Sequence, residues 1–138
     1  MRKSFFEFIK QHNVELLLFL VCVLALVYRF YVNTYHLVMV PDYDGYQYVK
    51  IAKYLTKGEL VNEAVNWTPL FPVIIALFSF LPFPFDEIGS FINIILGTAT
   101  ILPVYFLAKN LINKEAALFA TLIYAFHYSI SFVNVQVM

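Results

Sequence analysis

Three runs of this chain carry almost no charge. Residues 15 to 32, ELLLFLVCVLALVYRFYV, hold only Glu15 and Arg29, while 88 to 108 and 116 to 137 hold no Asp, Glu, Lys or Arg. Each is close to the ~20 apolar residues with which a helix crosses ~30 Å of hydrocarbon. The remainder agrees: the chain is 62% hydrophobic and 13% charged, where soluble domains run near half apolar and a quarter charged. The expected fold is all-α, a polytopic integral membrane helix bundle. Its formal net charge of zero gives no footprint for nucleic acid. Cys22, the single cysteine, excludes an internal disulfide.

Charge placement sets the expected topology. Residues 1 to 13 carry Arg2, Lys3 and Lys10 against Glu7, and short basic flanks stay cytoplasmic. No small-residue cleavage site follows the first apolar core, so 14–36 reads as an uncleaved first span. Arg29 lies about 21 Å along a helix from Glu15, near the outer interface, where its stem can snorkel beside Tyr28, Tyr31 and Tyr35. The apolar core of 68 to 85 is too short to cross comfortably and is bracketed by Pro69, Pro72, Pro82 and Pro84. If that segment stays in the interface, Lys109 and Lys114 fall on the cytoplasmic side with the N-terminus. The expectation is an outer loop over 41–87 with interfacial helices near 45–57 and 69–81, then spans over 88–108 and 116–137. Pro103 should kink the second span.

The loop opens with PDYDGYQYVKIAKYLTKG, from Pro41 to Gly58. Tyr48, Ile51, Ala52 and Leu55 recur at helical spacing while Lys50, Lys53 and Lys57 take another face, a pattern for a helix lying on a bilayer and stopped by Gly58. Asp44-Gly-Tyr-Gln47 fits a capping box. Asp42 and Asp44 equally suit a general base or a metal-holding carboxylate at the membrane surface. Lys50 and Lys53 suit anionic lipid headgroups or the phosphate of a lipid-linked substrate; Arg29 suits an interfacial anchor or the same phosphate. His36 and His127 lack the spacing of a metal site.

An acidic D-x-D opening a long outer loop, followed by Tyr48, Ala52, Leu55, Gly58 and Thr68-Pro69-Leu70-Phe71-Pro72, resembles the N-terminal module of the GT-C polytopic glycosyltransferases. The nearest branches in pattern are the dolichyl-phosphate-mannose–protein mannosyltransferases and the lipid A aminoarabinose transferases. LPVYFLAKNLINKEAALFATLIYAF is similar to that family's second span, basic cytoplasmic turn and third span. The resemblance implies transfer of a sugar from a polyprenyl-phosphate donor to a protein or glycolipid acceptor, in a plasma membrane or its equivalent, with the active site extracytoplasmic. It implies Asp44 as the essential carboxylate, by its distance to Tyr48, with Asp42 as its partner or a divalent-metal contact; the adjacent acidic slot of the family is Gly45 here. Family members have many more spans, so this chain is expected to be the N-terminal part of a longer protein and inactive alone. The competing reading is a small non-enzymatic membrane subunit that binds or flips polyprenyl-linked lipid.

Overall fold

The computed structural model describes residues 5–36, 43–59 and 67–133, and every regular element among them is helical. The elements are α1 (Phe5–His36), α2 (Tyr43–Leu55), α3 (Leu70–Leu77), α4 (Phe85–Ala99), α5 (Ile101–Leu111), α6 (Lys114–Phe126) and α7 (Tyr128–Val133). Two stretches are long and apolar enough to cross a membrane: Asn13–Thr34 within α1 and Phe85–Leu111, which joins α4 to α5. Both leave most of their apolar surface uncovered. Phe19, Leu20, Val27 and Tyr31 of the first and Ile95, Phe106 and Leu107 of the second are exposed. In water that would be an aggregation surface; against lipid it costs nothing.

Between helices the packing is small and close. Leu18, Val21 and Ala25 of α1 share one buried cluster with Ala117 and Ala125 of α6 and Ile101 and Tyr105 of α5. Small residues let backbones approach where lipid offers no hydrophobic drive for association. Tyr124 and Phe126, late in α6, lie beside Arg29 and Tyr28, late in the first span, while Ala117 shares the cluster with Leu18 and Val21, so the α5–α6 turn lies toward the N-terminal end of α1. Val32 and Ile94 pair toward the opposite end. Beyond them, Val49 and Ala52 of α2, Ile75 of α3 and Ile88 of α4 form a separate small core. α2 and α3 are thus gathered at the end of the helices away from the α5–α6 turn.

Proline accounts for two of the boundaries. Pro103 cannot donate to the Ala99 carbonyl four residues back, and the helix is interrupted at Thr100 just after it. Pro72 sits in the first turn of α3, where no backbone donor is needed. With eight residues, α3 is about 12 Å long, shorter than the expected 69–81 and far too short to span.

The expected third span, 116–137, is not one helix. It breaks at His127, whose φ of −66° and ψ of 118° are extended, leaving α6 with 13 residues, about 20 Å. Residues 126 to 131, Phe-His-Tyr-Ser-Ile-Ser, are all middling or poor helix formers. The buried Ser131 hydroxyl turns back toward the Ala125 carbonyl, at 3.4 Å, one of the groups freed by the break. Residues 134–138 lie outside the described residues.

Candidate functional site

The expected site residues occupy three separate places. At the first, α2 begins at Tyr43, which puts Asp44 in the first turn rather than at the capping position. The capping box is therefore not formed: Gln47 is buried and its Oε1 has no hydrogen-bond partner among the described residues. Asp44 is exposed, at the helix end where unpaired N–H groups and the macrodipole favour negative charge. Asp42, its expected partner, lies outside the described residues. Around Asp44 stands a run of rings. Trp67 is tilted against Tyr43 at 6.2 Å and meets Tyr48 edge-on at 5.5 Å, and Tyr48 meets Phe71 edge-on at 5.6 Å. The Tyr48 hydroxyl shares a 3.2 Å hydrogen bond with Thr68. These contacts tie the residues before α3 to the face of α2 that carries Asp44.

The second place is the other side of α2. Lys50, Lys53 and Lys57 line one groove of about 250 Å³ with Tyr46 and Tyr54. Lys53 Nζ lies 5.9 Å from the Phe85 ring centre, and Lys57 Nζ lies 5.9 Å from that of Tyr54. An adjoining groove brings Lys50 and Lys53 beside Asp86 of α4. Asp44, six residues before Lys50, is turned away by about 120° at 100° per residue, and it lines neither groove. The expected carboxylate and the expected phosphate-binding lysines therefore do not converge. Asp86 was missed by sequence reasoning; its signal is the acidic pair Asp86-Glu87 just past Pro84-Phe85, where a helix begins.

Arg29 is the third place, and here the expectation of a snorkelling side chain is overturned. It is fully buried, the largest side chain in the molecule with no exposure. Nη1 donates to Thr98 Oγ1 at 3.1 Å, and the guanidinium carbon lies 5.9 Å from the Tyr124 ring centre. The Thr98 hydroxyl donates in turn to the Ile94 carbonyl at 2.8 Å, and the Tyr124 hydroxyl meets Thr100 Oγ1. Nε and Nη2 of Arg29 have no hydrogen-bond partner among the described residues. The reason is geometric: Arg29 points toward α4 and α6 at a level where both are packed on α1, and the stem cannot turn outward.

Among the described residues no three His, Cys, Asp or Glu side chains are grouped to hold a metal ion. One carboxylate, Asp44, does not by itself make a divalent site, and no step below depends on one. No protein-family model matches the chain, and neither curated proteins nor solved structures give a match.

Proposed function

We propose that this chain is the N-terminal membrane module of a GT-C-type glycosyltransferase, moving a sugar from a polyprenyl-phosphate carrier to an acceptor at the outer face of the membrane. The observation that carries the proposal is the exposed Asp44 in the first turn of a short helix, folded onto α3 and α4 at one end of two membrane-length helices. The Asp44 carboxylate takes the proton of an acceptor hydroxyl or amine as that atom attacks the anomeric carbon. The bond from that carbon to the carrier phosphate breaks, and its electron pair leaves on the phosphate oxygen. Proton transfer by a positioned side chain contributes typically 10²–10⁴-fold. Asp44→Asn in the full-length protein is expected to lower transfer by about that factor with membrane insertion unchanged. Transfer at the wild-type rate sinks the assignment.

The lysine groove of α2 favours a second reading, a non-enzymatic subunit that binds or flips polyprenyl-linked lipid. A Lys50→Gln/Lys53→Gln/Lys57→Gln variant separates the two. Under this second reading, retention of the lipid phosphate falls while Asp44→Asn changes nothing.

A further inference from the structure

The lysine face of α2 and the start of α4 bring charges of both signs together. We propose that the groove between them binds the headgroup of phosphatidylethanolamine, with Lys50 and Lys53 on the phosphate and Asp86 on the ammonium. Asp44 lines neither groove of this face, so the proposal goes beyond the transferase reading and stands whether or not that reading holds.

Tyr46, Val49, Lys50 and Lys53 of α2 and Asp86 of α4 line one groove of about 250 Å³. Val49 and Ile88 share a small buried core that holds the two helices against each other, so the lysines and the carboxylate keep their places. Lys53 is drawn to the Phe85 ring, with Nζ 5.9 Å from its centre. Asp86 forms no ion pair or side-chain hydrogen bond among the described residues. Opposite charges thus share a groove without cancelling. Its depth suits a headgroup. Phe85–Leu111 has 27 residues, about 40 Å of helix against a ~30 Å hydrocarbon core, and Asp86 stands at the end of that stretch.

The pattern of charge selects among lipids. Lysines alone attract any anionic surface; the carboxylate among them calls for a cation on the ligand. A phosphodiester carries one negative charge on two free oxygens, which two lysines hold by charge-assisted hydrogen bonds. Beyond its phosphate, phosphatidylethanolamine presents a primary ammonium with N–H donors for a carboxylate. The Tyr46 ring, 58% exposed and lining the same groove, adds the attraction of an aromatic face for a cation. Phosphatidylcholine keeps the positive charge but has no N–H to give. Phosphatidylglycerol has hydroxyl donors and no cation. A phosphomonoester such as polyprenyl phosphate brings most of a second negative charge toward Asp86.

The full-length protein, washed free of lipid in detergent, is titrated with phosphatidylethanolamine, phosphatidylcholine, phosphatidylglycerol and polyprenyl phosphate, and bound lipid is read by native mass spectrometry. Phosphatidylethanolamine is expected to bind roughly two- to fivefold more tightly than phosphatidylcholine or phosphatidylglycerol. Asp86→Asn should erase that preference and leave the affinity for phosphatidylcholine unchanged. Glu87→Gln, which alters the neighbouring acid outside the groove, should keep it. If Asp86→Asn loses helix content, Asp86→Glu restores the charge and must restore the preference. Lys50→Gln/Lys53→Gln should weaken all three phospholipids together. Equal binding of phosphatidylethanolamine and phosphatidylcholine, or a preference that survives Asp86→Asn, overturns the proposal. Polyprenyl phosphate bound more tightly than phosphatidylethanolamine overturns it too, and gives the groove to the lipid carrier of the second reading. Loss of transfer in Asp44→Asn without any preference for phosphatidylethanolamine overturns this proposal alone and leaves the transferase reading in place.

Discussion

At the scale of single residues, Arg29 is a fully buried charge. It has one hydrogen bond, to Thr98, and two guanidinium nitrogens without partners among the described residues. A buried charge is strongly destabilised when it loses a partner, whereas replacing it by an apolar side chain of similar volume is often neutral or stabilising. Arg29→Met is therefore expected to leave thermal stability unchanged or raise it, and Thr98→Val to lower it by about 1–3 kcal/mol. Melting both variants in detergent checks this; a drop for Arg29→Met as large as that for Thr98→Val would mean that the guanidinium holds α1, α4 and α6 together. Sequence could not reveal this environment. The distance from Glu15 gives Arg29 a depth, but Thr98 and Tyr124 are remote in the chain and carry no local sign of meeting it. The place of Asp44 in the first turn of α2 was legible because its signals are local: an acid ahead of a helical repeat in the following residues.

Among elements, termini matter most. The end of α2 is closed by Gly58 at φ 76°, with Glu59 N–H donating to the Tyr54 carbonyl at 3.1 Å and Gly58 N–H to that of Leu55 at 3.0 Å, a Schellman closure. Gly58 read from sequence as the stop because only glycine takes that conformation without strain. The start of α6 is closed by Asn113, whose Oδ1 accepts from the Ala116 N–H at 2.8 Å. Asn113→Ala is expected to cost about 1 kcal/mol, read as a lower melting temperature with unchanged far-ultraviolet circular dichroism. An unchanged melt would mean that the α5–α6 turn is held by packing alone. The break at His127 was not legible, because an uncharged run of 22 residues carries composition and no boundary. The interruption after Ala99 was, because Pro103 dictates it.

For the whole molecule, Tyr124 and Phe126 lie beside Arg29 and Tyr28 while Ala117 shares a cluster with Leu18 and Val21, which puts Lys109 and Lys114 toward the N-terminal end of α1. α2 and α3 lie at the other end. In a Cys22→Ser background, cysteines at Lys109 and Lys114 are expected to resist an impermeant thiol reagent in intact cells, while one at Glu59 reacts. Labelling at 109 or 114 with none at 59 would invert the orientation. The bond between Arg29 and Thr98 joins residues 69 apart in sequence, and this sets a timetable for synthesis. At ~5–20 residues per second, roughly 3–14 s separate the emergence of the arginine from that of its hydroxyl partner. Throughout that interval α1 carries a charge without its hydroxyl partner, toward the outer end of its span, where the cost falls below the ~2.5–3.5 kcal/mol of a helix centre. The buried surroundings of Arg29 are therefore completed only once the second span has been made.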